Sequence, residues 1–153
     1  MGAELPPQAI VSGAFLADAH GVASVVRSRN LLFIGEQGPL PEAGVLPRGK
    51  LGQAFDVEAG RRLARSAAEA LLARVQDTLG SLDGVQQLVE LRAVLNTTAD
   101  FDAHDEVVDA ASALLHEALG ERGVHVRSVT GAHSLRGGLP LLLAATVAVR
   151  PGT

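Results

Sequence analysis

Eleven consecutive residues near the C-terminus, Leu139 to Val149, carry no charge, and Thr146 is their one hydroxyl. A helix needs about 20 such residues to cross a bilayer, so this run is too short to span one that way. From Leu141 to Val149 it reads as a β-strand that is apolar on both sides. One side can face helices. The other would be wet in an isolated sheet, which a soluble protein tolerates poorly. The simplest arrangement puts that side against another subunit.

The rest of the chain supplies a sheet and two helices around this strand. Residues 1–21 are weakly patterned, with Pro6, Pro7 and Gly13, and are expected to form an N-terminal extension to a domain covering 22–153. Val22 to Val26 and Leu31 to Ile34 are β-prone and flank the polar turn Ser28-Arg29-Asn30, a hairpin pattern. Gly35 to Gly52 holds five Gly and three Pro and reads as an extended loop, of the kind often functional or covered by a partner. Asp56 is placed to cap a helix with Ala64, Ala67, Ala68, Leu71, Leu72, Val75 and Leu79 on one face, ended by Gly80. Val85 to Asn96 is a half-buried strand, with Val89, Leu91, Ala93 and Leu95 on one face and Glu90, Arg92 and Asn96 on the other. Asp100 or Asp102 caps a second helix, faced by Val107, Val108, Ala111, Leu114, Leu115, Ala118 and Leu119. A further strand covers Val124 to Gly131, and Arg136-Gly137-Gly138 turns the chain into the last one. The fold class expected is α+β: order ββ-α-β-α-ββ, one mixed sheet with two helices on one face.

Composition removes several functions. A chain of 153 residues is one domain. Without cysteine it has no disulfide framework, thiolate nucleophile or Cys-type zinc site. A net charge of −4 without a basic run argues against a nucleic-acid partner, and four Phe with no Tyr or Trp leave few rings for stacking bases. At 47% hydrophobic residues it is not a disordered chain. No basic stretch precedes an apolar core at the N-terminus, so no signal peptide is read. A cytoplasmic protein with no membrane partner is expected.

Asn30-Leu31-Leu32-Phe33-Ile34, Gly49-Lys50-Leu51-Gly52 and Leu79-Gly80-Ser81-Leu82-Asp83-Gly84-Val85 are followed by Asp100-Phe101, Val108-Asp109-Ala110-Ala111-Ser112 and Gly123-Val124-His125-Val126-Arg127-Ser128. In this order and spacing, over about residues 22–150, the chain resembles the Rid family, also called YjgF-type or endoribonuclease L-PSP, and within it the longer branch with an extended N-terminus. The resemblance implies a chorismate-mutase-like fold. It also implies a homotrimer whose sheets form a central barrel, with ligand clefts between subunits.

Deaminating members of that family hydrolyse enamine and imine products of amino-acid metabolism. An arginine before the last strand clamps the substrate carboxylate, a glutamate on the last strand positions water, and a serine and a tyrosine complete the cleft. Carried onto this chain, the arginine position falls on Ser134, the glutamate on Ala145, the serine on Gly35 and the tyrosine on Val22. Losing a clamp on a desolvated carboxylate costs on the order of 2–5 kcal/mol, and losing the acid about 10²–10⁴ in rate. The usual deaminase residues are thus absent. Arg136, two residues past Ser134, is the available substitute, although Gly137-Gly138 suits a turn better than a fixed clamp. Ribonuclease chemistry, which wants paired histidines or a metal and a basic groove, finds no support.

Several other groups are candidates. His125 and Arg127 point the same way along a strand, where the arginine would hold an anion and the histidine move protons; the plain alternative is a strand edge or interface. His133 and Ser134 sit in the turn that forms the cleft in relatives, but adjacent side chains diverge and make no nucleophile–base pair. Glu36 is a candidate general base if partly buried, and otherwise an idle loop carboxylate. His104, Asp105 and Asp109 have weak metal-ligand spacing, yet acids are expected at a helix start. Lys50, the one lysine, is either part of a structural turn or a charge at the cleft mouth. Asn96 loosely matches a ligand-contacting region, and His20 and His116 carry no signal. No metal or cofactor is implied.

Three readings follow. The first is a homotrimer whose clefts, lined by Val22, Gly35, Glu36, Arg127, His133, Ser134 and Arg136, bind a small metabolite, a less polar one than in deaminating relatives given Ala145 and Gly35. The second is an enzyme in the same cleft, a hydrolase acting through substitutes: Glu36 or His133 as acid/base and Arg127 or Arg136 as anion holder. The third is a structural or partner-binding trimer.

Overall fold

A computed structural model describes residues 18–153; the lead-in with Pro6, Pro7 and Gly13 lies outside the described residues. Five strands, β1 (Val25–Ser28), β2 (Leu31–Gln37), β3 (Val85–Asn96), β4 (Val126–Ala132) and β5 (Leu141–Val149), form one sheet in the order β1-β2-β5-β3-β4. Only β3 and β4 run parallel. Two helices, α1 (Val57–Leu79) and α2 (His104–Leu119), pack together on one face. The order and layering expected from the sequence are those observed.

Helix α1 starts where its cap is. The Asp56 carboxylate accepts from the Ala59 N–H at 2.8 Å, and the helix closes at Gly80, whose φ of 80° is costly for any residue with a Cβ. Its small residues Ala64, Ala67 and Ala68 are buried, which lets α1 lie close to its neighbours. Helix α2 departs from expectation. It begins at His104 behind Ala103, and no side chain among the described residues caps it. Asp100 instead accepts from the Thr98 hydroxyl at 2.9 Å, inside a turn that the Phe101 N–H closes onto the Thr98 carbonyl. Local pairing with Thr98 took the carboxylate before the helix began.

Strand boundaries and faces also shift. The first strand starts at Val25 and β4 at Val126, later than the β-prone runs suggest. Gly35, Glu36 and Gln37 belong to β2, and the loop begins after them. On β3, Leu91, Ala93 and Leu95 face the core, but Val89 faces outward and Leu88 inward. The register against β5 slips between Leu88 and Glu90, and one extra residue in a period-two element flips everything on its far side.

Central strand β5 is buried on both sides, as its composition requires. Leu141, Leu143, Ala145, Val147 and Val149 join the core beneath the helices. The inference that the opposite side would be wet in one chain is corrected. Leu142, Ala144 and Thr146 are already buried within a single chain. A Cβ on Gly38 would touch Leu139 and Leu142 at 3.6 Å, and Arg92 reaches the Thr146 hydroxyl at 3.5 Å. Small residues on a central strand are shaded by longer side chains from both flanking strands. No helix among the described residues is long and apolar enough to cross a membrane.

Candidate functional site

The groove of interest forms where β2 leaves regular pairing with β5. Ile34 pairs with Ala145 and Gln37 with Leu143, so β2 carries one extra residue at Gly35–Glu36. A bulge of this kind re-aims a side chain. Here it leaves Glu36 exposed while Leu32 and Ile34 on the same strand are buried. Glycine at 35 has a steric reason: a Cβ there would sit 3.2 Å from the Ser24 carbonyl oxygen, whose partner is the Gly35 N–H at 2.8 Å. Upstream, the Asp18 carboxylate accepts from the N–H groups of His20 and Val22 at 2.8 and 3.0 Å, an Asx turn that sets the path of the chain into β1.

These elements enclose a cavity of about 610 Å³ lined by Asp18, Val22, Ala23, Ser24, Gly35, Glu36, Gln37 and Arg136. Arg136 reaches it from the turn before β5, and its Nη1 donates to Glu36 Oε1 at 2.8 Å. The Arg136 and Glu36 side chains are 62% and 43% exposed, so their attraction is screened and worth about 0–1 kcal/mol. A pair that weak holds little of the fold together and is readily exchanged for a ligand's charges. The turn carrying Arg136 is not loose. Gly137 and Gly138 take φ of 65° and 67°, the Gly49 N–H donates to the Gly138 carbonyl at 2.9 Å, and a Cβ at 138 would meet Arg48 at 2.8 Å. Those glycines supply a backbone shape that is then pinned, so the objection to a fixed arginine there falls away.

Val22, Gly35, Glu36 and Arg136 are therefore brought together as the sequence suggested, and the other three candidates are not. Arg127 lies under α2, where its guanidinium donates to Asp109 at 2.8 Å, Asp105 at 3.0 Å and the Ser112 hydroxyl at 3.2 Å. His125, just before β4, points to that same side, as its spacing implied. Its Nδ1 donates to the Gly123 carbonyl at 2.7 Å, which leaves Nε2 to accept from Ser112 Oγ at 3.0 Å. This side of β4 is the helix-packing face, so neither residue opens on the groove. The same geometry corrects the weak metal reading of His104, Asp105 and Asp109, since both carboxylates hold Arg127. Ser134 is exposed and outside the groove, and His133 lines a different cavity. Lys50 has the structural role: its ammonium donates to Asn96 Oδ1 at 2.9 Å and to the carbonyls of Thr97 and His133.

Ala145 lies on the core side between Ile34 and Leu91, fully buried, so an acid at that position would face the helices and not this groove. Sequence reasoning placed Gln37 beside Glu36 at a cleft-facing position, as observed, but missed Asp18 and Ser24, although Asp18 three residues before Gly21 is a readable turn signal. It also missed Arg92, which with Gly35, Glu36, Val94, Leu142 and Ala144 lines an adjoining cavity of about 320 Å³. Glu36 thus stands between two spaces, with an arginine lining each.

Residues 1–140 match the family model described as "YjgF/chorismate_mutase-like, putative endoribonuclease". Protein TCP17 of Trypanosoma cruzi is 31% identical over 136 residues, spanning 88% of this chain and 81% of that protein. The crystal structure of Atu1372 from Agrobacterium tumefaciens, a protein of unknown function, superposes with a TM-score of 0.79 at 28% identity, over 82% of this chain and 81% of that one. One from Shewanella oneidensis MR-1, named for the same endoribonuclease description, gives 0.80 at 26% identity over 95% and 91%. With its five-stranded mixed sheet and paired helices, this chain belongs to the YjgF/chorismate mutase-like family.

Proposed function

We propose that this protein binds a small carboxylate metabolite in the groove between Glu36 and Arg136, as a homotrimer of the kind the family resemblance implies. The observation that carries the reading is the Arg136–Glu36 contact of 2.8 Å inside a 610 Å³ space walled by Val22 and the bulge at Gly35. A guanidinium offers two parallel donors to a carboxylate. An incoming carboxylate would take Glu36's place at that fork and leave the Glu36 oxygens facing the ligand. Trimer formation draws support from the sheet's open side, where Val26 pairs with Phe33 and Phe33 with Thr146, and Phe33 is 43% exposed in one chain.

A second reading is favoured by the freed Glu36 carboxylate: hydrolysis of an enamine or imine through substitute residues. Water held by Glu36 would add across the C=N bond of the imine, ammonia would leave, and a 2-oxo acid would remain. Titration with pyruvate followed by calorimetry tests the binding. Saturable binding weakened roughly tenfold by Arg136→Ala is expected, the scale of one exposed charge-assisted contact. Pyruvate binding equally well to that variant, or not at all, would overturn it. Ammonia released from 2-aminoacrylate faster than in buffer, and lost in Glu36→Gln, would establish the hydrolase reading; release at the buffer rate would leave binding alone.

A further inference from the structure

A second cavity, of about 340 Å³, opens at the carboxyl ends of the parallel pair β3 and β4. Its wall is formed by Thr97 and Thr98 just past β3, by Phe101 and His104 at the start of α2, and by Gly131 and His133 at the end of β4. We infer that this cavity is a ligand site separate from the Glu36–Arg136 groove, and that it takes a small oxyanion, a phosphate or a carboxylate.

Four observations converge on it. Thr97 is 91% buried (9% exposed), lines the cavity, and its hydroxyl has no hydrogen-bond partner among the described residues. The hydroxyl oxygen is open to the cavity, where a polar group from outside the chain can reach it. Helix α2, 16 residues long, starts beside the same space at His104 with no side-chain cap among the described residues, which leaves its first N–H groups without a capping partner; Asp105 and Glu106 stand in its first turn. The His104 ring is fixed there. Phe101 meets it edge-on at 5.3 Å, and a Cβ on residue 131 would come within 2.7 Å of its Nε2 and 3.4 Å of Thr97 Oγ1. Glycine at 131 therefore leaves room for the imidazole beside the unpartnered hydroxyl.

The sign of the ligand follows from the wall. Among the described residues no carboxylate lines the cavity, and the titratable groups that do are His104 and His133. Of the acids around it, Asp105 holds Arg127, Asp100 accepts from the cavity-lining Thr98 hydroxyl, and Asp102 and Glu106 flank the start of α2 without lining the cavity. The Lys50 ammonium stands behind the wall on the carbonyls of Thr97 and His133. Hydroxyl, imidazole N–H and helix N–H groups together are donors, and they suit an oxyanion.

The test is titration of the whole protein with orthophosphate, and separately with acetate, at constant ionic strength, reading the imidazole signals in ¹H–¹⁵N spectra. Saturable shifts of the His104 and His133 signals are expected, with affinity reduced about fivefold or more by Thr97→Val, the scale of one lost hydrogen bond. Arg136→Ala should leave these shifts unchanged, whatever it does to pyruvate binding. Response to one anion and not the other assigns the ligand as a phosphate or a carboxylate. Should Thr97→Val fail to fold, the exposed His133→Ala carries the same expectation. Absence of a saturable shift with both anions, or loss of the shifts in Arg136→Ala, would overturn the inference.

Discussion

Arg127 shows how a residue type can be right for a chemistry and wrong for a place. Its alternation with Val126 predicted a side distinct from the exposed valines, and that is where it lies. What it meets there are the two α2 carboxylates, at 2.8 and 3.0 Å, with its own side chain only 20% exposed. Arg127→Ala should lower unfolding free energy by about 1–2 kcal/mol, measured by urea denaturation. The loss should shrink in 1 M salt, where the screening length falls to roughly 3 Å. Pyruvate binding should survive it, which separates this arginine from Arg136. Glu36, by contrast, could be flagged from the sequence as a cleft-facing acid; the extra residue that aims it could not, since a bulge leaves no signature in composition.

Element-scale signals were the most legible. Asp56 and Gly80 bracket α1 because capping chemistry is local, confined to residues within one turn. Asp56→Ala should cost about 1 kcal/mol, seen as a lower midpoint in thermal unfolding. At α2 the same reasoning failed, because Thr98 competed for Asp100. The two helices are also tied by Arg65 and Glu117 at 2.8 Å, a contact that holds the Glu117 carboxyl below its ordinary range, through the hydrogen bond first and the charge second. A pKa lowered on folding means the contact favours the folded state above the unfolded carboxylate's titration range, and that the benefit is lost as pH falls through the folded pKa. Arg65→Gln should move the Glu117 midpoint upward in an NMR titration; an unmoved midpoint would show that the contact does not form in solution.

Molecular scale is where assembly belongs. Phe33 is half-exposed on the open side of the sheet, in register with Val26 and Thr146. Phe33→Glu should keep the far-ultraviolet circular dichroism of the parent, because a single chain does not bury that ring. It should convert a species of three chains to one in sedimentation. A parent that sediments as a single chain at micromolar concentration would remove the trimer from the proposal. Composition and periodicity were enough for the α+β class, most of each helix face (Ala118 of α2 is exposed and Ala110 buried) and the doubly buried last strand, because each depends on neighbours a few positions apart. Pairing Glu36 with Arg136, 100 positions away, depended on which strands lie side by side, where the register slips and how the turn before β5 is pinned. Those are relations between distant segments, set by packing the whole sheet against its helices, and no local pattern encodes them.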